Sequence, residues 1–275
     1  MRFIQYRSPE QKSYLALVEG DFVYPLSGCR SLFDLVGRSK DIGQDIESLA
    51  LTLKSKASTP YLDLMVDARL MVPFHQDDTN RVWLSRISQP KENVYHWQFK
   101  GDGSQLTFPF WPLRALEPEC SLCYGASLAV SYFITKERKP ERVGFSIAGD
   151  MRRSRIEEDS LDYMQICSFG PELVLPNHAP AVIEGFGWLR RMGEKVDGQS
   201  IQVPLPDLKA LESWYFSKPW FCQTGHVHIL FIPLAPPFAD DLAPGDTIEI
   251  SLNGFGRALI HSMETRALRA PKILL

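Results

Sequence analysis

Hydrophobic and polar residues alternate over short stretches in much of the chain, which is the period of two that β-strands produce. Near the N-terminus such stretches cover residues 2–6, 14–18 and 22–25, and Glu19-Gly20-Asp21 forms a turn between the last two. The pattern predicts many short strands joined by tight turns. The later predicted strands cover residues 111–125, 130–135, 143–148, 172–175, 181–186, 188–192 and 258–261, and residues 242–250 are predicted to form a turn that leads into a strand.

Helical spacing is rarer. Ser31 is suited to cap a short helix that runs through Val36, and Asp207 is suited to cap a second helix. Apolar residues between positions 46 and 53 recur at a period near 3.6, which predicts an amphipathic helix over residues 44–56. Residues 73–104 are predicted to be rich in loops.

Composition narrows the class of protein. The chain has 275 residues, enough for a substantial core, and a formal net charge of −3, which gives no electrostatic reason to expect nucleic acid or an anionic membrane as partner. It has no run of 18 apolar residues, and its first residues, MRFIQYRSPEQK, lack a signal-peptide core. The five cysteines fit reduced thiols. These features predict a cytoplasmic protein.

The most informative chemistry is acidic. Glu117 and Glu119 are two residues apart, so an extended strand directs both to one face, and Asp150 follows a second apolar run. Three carboxylates on one face repel each other unless a cation neutralises them. Oxygen ligands favour a hard ion such as Mg²⁺, Mn²⁺ or Ca²⁺ over Zn²⁺.

These residues resemble the fumarylacetoacetate hydrolase superfamily. In that superfamily a Glu-x-Glu pair is followed by a short apolar strand that ends in Gly, here Gly125, and later by Gly/Asn-Asp, here Gly149-Asp150. The branch that handles 2-keto-3-deoxy sugar acids is the most similar. Four further segments carry the resemblance: Lys100 to Ser104, Cys167 to Leu173, His226-Val227-His228, and Gly245-Asp246 through Gly254-Phe255-Gly256-Arg257.

The resemblance implies an α+β, mostly β fold. It implies a small N-terminal α+β domain over residues 1–72 and a mixed β-sandwich roll, the catalytic domain, over residues 73–275. It also implies a homodimer and a Mg²⁺ or Mn²⁺ ion bound by Glu117, Glu119 and Asp150. The implied function is that of a metal-dependent lyase or hydrolase that acts on a small 2-oxo acid, of the 2-keto-3-deoxy sugar acid or acylpyruvate type, through a metal-stabilised enolate.

Three positions depart from the pattern of these relatives, and one is the segment 232–237, where the relatives place a Gly-Thr and this chain has Pro233 without an N–H donor. Trp83 stands where the relatives carry a histidine on a mobile lid, which leaves His75 and His96 as the nearest candidates for a general base. The relatives also carry a lysine shortly before the Cys-Ser pair, where this chain has Asp162-Tyr163-Met164-Gln165.

The candidates for binding the substrate are therefore Lys100, Arg152 and Arg153. The same arginines are also interpreted as part of a solvated, charged loop. Likewise, His226 and His228 form either a metal pair or a structural, hydrogen-bonded pair. For Cys120 and Cys123, a role as small core residues is favoured over a redox or zinc site.

Three functions stay open at this point. The first is an active metal-dependent enzyme with a relocated base. The second is a divergent protein of this fold that binds a metal or a small oxo acid and has weak or no activity. The third is a structural or interaction role for a retained fold.

Overall fold

The computed structural model of the chain describes residues 1–91, 94–114, 122–153, 167–239 and 241–264, with the backbone alone at 89–91, 94, 152 and 153. Seventeen strands and four α-helices lie in these ranges. The helices are α1 (Leu32–Ile42), α2 (Ile46–Leu53), α3 (Tyr61–Val66) and α4 (Leu208–Tyr215). No helix in the same ranges has the length and apolar character needed to cross a membrane.

The strands form two mixed sheets. Among the described residues the larger sheet consists of β1 (Arg2–Arg7), β2 (Ser13–Glu19), β3 (Phe22–Pro25), β4 (Thr59–Pro60), β5 (Leu70–Met71), β6 (Val82–Lys91), β7 (Val94–Asp102), β9 (Leu122–Ile134), β10 (Pro140–Arg153), β11 (Cys167–Phe169), β12 (Leu173–Val174) and β15 (Val227–Pro233). The smaller sheet consists of β8 (Leu113–Arg114), β13 (Val182–Arg191), β14 (Glu194–Pro204), β16 (Thr247–Leu252) and β17 (Leu259–Glu264).

Strand order places β10 and β9 in the middle of the larger sheet. The order is β4-β3-β2-β1-β12-β10-β9-β15-β6-β7, while β11 pairs with β10 and β5 with β1. β6 runs parallel to β15, and the other pairs of this sheet are antiparallel. Every residue of β9 is buried, because apolar side chains cover both of its faces. The predicted α+β, mostly β fold class is confirmed.

Capping residues explain the first helices. Ser31 and Asp34 form a capping box at the start of α1, and Gly43 ends the helix in the left-handed conformation. The helix therefore continues past Val36, where the prediction ended it, to Ile42. Asp45 caps α2, which is shorter than the predicted range 44–56.

The prediction of a loop-rich segment over residues 73–104 is wrong. Most of its second half forms the β6–β7 hairpin, in which Arg86 lies opposite Gln98. β7 is at the edge of the sheet and leaves Trp97 and Phe99 about 40% exposed, at 39% and 41%. An edge strand with a polar tip lacks the continuous apolar run of a central strand, so its pattern is weak.

Other boundaries also differ from the sequence prediction. The two strands predicted over 181–186 and 188–192 are the single strand β13, and its partner β14 was not predicted because most of its side chains are exposed. Within the predicted strand 111–125, the described parts are Leu113–Arg114 and the start of β9.

The two faces of the larger sheet pack against different clusters of apolar side chains. Ile87 belongs to one cluster, together with Tyr124, Ile147 and Met151. Leu84 belongs to the other, whose members include Val82, Ala148, Cys167 and Phe231. Because side chains alternate along a strand, Arg86 is on the face of Leu84.

Glu172 joins the N-terminal segment to the rest of the chain. Its fully buried carboxylate lies 2.9 Å from Nη1 of Arg2 and accepts a hydrogen bond of 2.9 Å from the backbone N–H of Arg257. Gly256 leaves room for this carboxyl, because a Cβ at that position would lie 2.2 Å from Cδ of Glu172. Strands from both segments also share the larger sheet. The division into domains at residue 72 stays a prediction.

We predict that Glu172→Ala lowers the free energy of unfolding by about 3 kcal/mol, because it leaves Arg2 and the N–H of Arg257 without their buried acceptor. Urea unfolding monitored by circular dichroism measures the change. The control is Glu184→Ala on the exposed face of β13, for which we expect a change within about 0.5 kcal/mol. Equal effects of the two substitutions would contradict the role of Glu172.

Candidate functional site

The candidate site is built around Asp150, whose side chain is 5% exposed. On the central strand β10, this residue lies opposite Gly125 of β9 and opposite Cys167 of β11. Nζ of Lys100 lies 2.7 Å from Oδ1 of Asp150, and Nε of Arg86 lies 3.2 Å from Oδ2. We call Asp150, Lys100, Arg86 and Cys167 the Asp150 cluster.

A β-bulge directs Lys100 toward Asp150. Leu84 pairs with Gly101, but the next residue, Ser85, pairs with Phe99, so Lys100 is an extra residue in β7. Gly101 has a φ of +119°, which a residue with a side chain rarely adopts. The bulge buries the lysine completely, although β7 is an edge strand.

Arg86 is held from two sides. Its Nε forms the ion pair with Asp150, and its Nη1 donates a hydrogen bond of 3.3 Å to Oε1 of Gln98, the residue opposite in β7. The residue is only 6% exposed. These contacts fix the plane of the guanidinium beside the carboxylate.

Charges in the cluster stabilise one another. Burial lowers the pKa of Lys100, but the net shift is upward, and the neighbouring Asp150 carboxylate is the largest cause that raises it, so the lysine is protonated at neutral pH. Burial raises the pKa of the Cys167 thiol to about 12. Cys167 is therefore a neutral thiol, and its Sγ lies 3.9 Å from Oδ1 of Asp150.

Two of the residues predicted for the site are brought into contact, namely Asp150 and Lys100. Glu117 and Glu119 lie outside the described residues. The backbone of Arg152 and Arg153 continues β10 beyond Asp150, and their side chains are also outside the description. Arg86 was not predicted, because nothing in the local sequence distinguishes it from an exposed arginine.

The structure describes the surroundings of both candidate bases. His75 is half-buried, with its ring 5.3 Å from that of Phe108 and its Nε2 3.8 Å from Oδ1 of Asp77. His96 is exposed on β7, opposite Ser88. In the described part of the chain, neither histidine forms an ion pair or hydrogen bond with Asp150.

The carboxylate oxygens of Asp150 are suitable ligands for a divalent ion. A carboxylate offers about four lone-pair positions; Lys100 and Cys167 both approach Oδ1, whereas Arg86 alone approaches Oδ2 among the described residues, so Oδ2 keeps a lone pair. Metal-binding carboxylates are commonly oriented by the polar and charged groups around them. No group of three possible metal ligands occurs among the described residues, which exclude Glu117 and Glu119.

Trp83 lies on the opposite face of the sheet from Arg86, because the two are three residues apart on one strand. Its ring centroid is 5.9 Å from that of His226 and 5.6 Å from that of His228. The hydroxyl of Tyr215 links Nδ1 of His228, at 3.1 Å, to Oγ of Ser85, at 2.9 Å. These contacts agree with the structural, hydrogen-bonded role for His228.

A cleft of about 360 Å³ lies on this same opposite face. Ile87, Tyr95, Asp207 and Ile232 contribute to its lining. Because Ile87 and Arg86 point to opposite faces of β6, this cleft is separate from the Asp150 cluster.

Among the comparisons with known proteins, the one with solved structures found similar chains. No family model matches the sequence, and no curated protein matches it. A solved fumarylacetoacetate hydrolase from psychrophilic Exiguobacterium antarcticum superposes with a TM-score of 0.66, covering 97% of this chain and 100% of that one at 15% identity. The chain has the fumarylacetoacetate hydrolase fold.

Other solved structures with the fumarylacetoacetate hydrolase fold carry ligands. A 2-keto-3-deoxy-D-arabinonate dehydratase complexed with magnesium and 2,5-dioxopentanoate has a TM-score of 0.71 and 14% identity, over 97% of this chain and 99% of that one. A maleylpyruvate hydrolase from Sphingobium sp. SYK-6 in complex with manganese(II) ion and pyruvate has a TM-score of 0.64 and 17% identity, over 96% of this chain and 99% of that one. The fold implied by the sequence resemblance is thus confirmed.

We predict that Lys100→Met destabilises the protein by about 3 kcal/mol, because it removes one of two buried counter-charges of Asp150. Combined with Asp150→Asn, it should cost at least about 1 kcal/mol less than the sum of the two single changes. Denaturant unfolding of the four proteins gives this coupling energy. Lys139→Met, at an exposed position, is the control. Strict additivity of the two changes would contradict the buried ion pair.

We also predict that His228 makes the stability of the protein depend on pH in the acidic range. Burial, with a smaller contribution from His226, lowers the pKa of His228 from 6.5 to about 3. Below pH 6.5 the unfolded chain binds a proton at this residue that the folded chain does not, so stability falls as the pH decreases toward 3. At pH values well between the two pKa values, His228 changes the free energy of unfolding by about 1.4 kcal/mol per pH unit.

His228→Gln should flatten the decrease, whereas His96→Gln, at an exposed position, should leave it unchanged. The free energy of unfolding measured at several pH values between 6.5 and 4.5 tests this. The burial argument fails if both variants keep the slope of the wild type.

Proposed function

We propose that this chain is a metal-dependent lyase or hydrolase of the fumarylacetoacetate hydrolase superfamily that acts on a small 2-oxo acid. The observation that carries the proposal is the Asp150 carboxylate, buried on a central strand and oriented by two buried cations. Two carboxylates predicted to complete a ligand set, Glu117 and Glu119, precede the neighbouring strand β9 in the sequence.

The ligands of the solved structures with this fold support the substrate class. The dehydratase structure contains magnesium and 2,5-dioxopentanoate, and the hydrolase structure contains manganese and pyruvate. Both organic ligands are small 2-oxo acids. For this chain we propose a substrate of the 2-keto-3-deoxy sugar acid or acylpyruvate type.

Glu117, Glu119 and Asp150 would hold the Mg²⁺ or Mn²⁺ ion. When bound, the ion supplies a Lewis acid for the oxygens of the 2-oxo acid. Lys100 and Arg86 fix the orientation of the Asp150 carboxylate. We further propose that Lys100, Arg152 and Arg153 contribute positive charge for binding the substrate. We also propose that the protein is a homodimer.

For the proton-transfer group, His75 is the better of the two candidates. Burial lowers the pKa of His75, with Asp77 opposing and Arg7 adding to the shift, so the imidazole is neutral and can accept a proton at neutral pH. His96 is exposed at the edge of the sheet, where water competes for its nitrogens.

A second function, binding of the oxo acid without fast turnover, is favoured by one observation. Within the described ranges, neither candidate base contacts the Asp150 cluster. Loss of a general base costs on the order of a hundredfold to ten-thousandfold in rate. We therefore expect weak, metal-dependent turnover.

We predict that the wild type binds Mg²⁺ and that Asp150→Asn and Glu119→Ala each weaken this binding by at least about 100-fold, since each removes an ionised ligand. Isothermal titration calorimetry measures the affinity. Product formation from 2-keto-3-deoxy sugar acids, acylpyruvates and oxaloacetate, with and without EDTA, measures turnover.

The control is Glu194→Ala on the exposed end of β14, which should bind Mg²⁺ as the wild type does. Unchanged affinity in Glu119→Ala or Asp150→Asn would refute the ligand set, and turnover that survives EDTA would refute the metal dependence. Intact Mg²⁺ binding without turnover on any of these substrates would favour the binding function.

A further inference from the structure

Arg86 is a buried cation to which neither the sequence motifs nor the proposed catalytic groups assign a role in binding the ligand. It is on β6, 6% exposed, on the same face of the sheet as Asp150. An arginine this deeply buried usually has a specific anionic partner, because desolvating its charge costs several kcal/mol.

Arg86 shares its anionic partner, Asp150, with Lys100. In the described part of the chain, Asp150 is the one carboxylate that pairs with Arg86, and Lys100 is closer to it, at 2.7 Å against 3.2 Å. A single described carboxylate therefore serves both Arg86 and Lys100.

The geometry of Arg86 leaves one side of its fork available. Nε pairs with Asp150 and Nη1 donates to Gln98, whereas Nη2 makes no hydrogen bond to any described residue. Asp150 and Gln98 hold the guanidinium in place from two directions. A planar guanidinium with free N–H groups matches a carboxylate, to which arginine binds through two parallel hydrogen bonds.

We propose that Arg86 binds the carboxylate of the 2-oxo acid and is the specificity-determining residue for that group. The inference rests on the proposed function, because it takes a small oxo acid as the ligand. The inference goes beyond the proposed function because it assigns recognition of the carboxylate to Arg86 on β6. This contact is made by the side chain itself and not through the metal ion.

The test compares Arg86→Met with the wild type by calorimetric titration with pyruvate and with propionate, both in the presence of Mg²⁺. Propionate has a carboxylate but no oxo group, so it cannot chelate the ion through a carboxylate and an oxo oxygen together, and the share of the arginine in its binding is larger. We expect Arg86→Met to bind both acids about 10- to 100-fold more weakly, the loss typical of a charged hydrogen-bonding partner. Its affinity for Mg²⁺ alone, measured in parallel, should fall less than its affinity for the acids, because Lys100 still holds the Asp150 carboxylate.

Two further variants guard against loss of folding. Arg86→Lys keeps the charge beside Asp150 but lacks the planar fork, so we expect a folded protein with an affinity between those of the wild type and Arg86→Met. Arg81→Met removes an exposed arginine just before the same strand and should stay within twofold of the wild type. Thermal unfolding verifies that each variant is folded.

The outcomes separate the two proposals. If the wild type binds pyruvate and both Arg86 variants bind it within twofold of the wild type, the inference is overturned and the proposed function stands. If the wild type binds neither Mg²⁺ nor pyruvate, the proposed function is overturned, and the inference with it. A fall in Mg²⁺ affinity in Arg86→Lys as large as the fall in pyruvate affinity would also overturn the inference, because it would show that Arg86 acts only through the metal site.

Discussion

The buried carboxylate of Asp150 constrains much of the surrounding architecture. A charge on a central strand with both faces covered is tolerated only if counter-charges reach it from neighbouring elements. Lys100 and Arg86 come from the β6–β7 hairpin, at the edge of the sheet. The hairpin must therefore lie on β15 in one register, and the bulge at Lys100 adjusts β7 to the same requirement.

The glycine beside the charge, Gly149, serves the packing of the same strands. A Cβ at this position would lie 1.7 Å from the hydroxyl oxygen of Tyr124, so the ring can cross β10 only where the side chain is missing. Gly125, directly opposite Asp150, is not constrained in this way, because its Cβ would lie 3.7 Å from the backbone of Pro237, an ordinary contact distance. The Gly-Asp pair recognised in the sequence therefore has two physical roles, one for packing and one for charge.

The sequence predicted the parts of the fold and site that depend on local chemistry. Ser31 and Asp207 cap helices because their side chains satisfy neighbouring backbone N–H groups, and this needs no tertiary information. Asp150 and Lys100 were found through motifs. Arg86 was missed because its burial depends on Asp150, which is 64 residues later in the sequence. On the same strand, the sequence analysis considered Trp83 and not Arg86. The strands β7 and β14 were missed because edge strands need only a weak apolar pattern.

The charge of the site links the proposed ion to the proposed ligand set. Asp150 with Lys100 and Arg86 has a formal net charge of about +1, which opposes a divalent cation. Adding the charges of Glu117 and Glu119 changes the total to about −1, which favours Mg²⁺, and the ion restores about +1. A 2-oxo acid with one carboxylate then brings the sum near zero. In this scheme the two glutamates determine whether a cation can enter the site, while the two buried cations favour a bound anion.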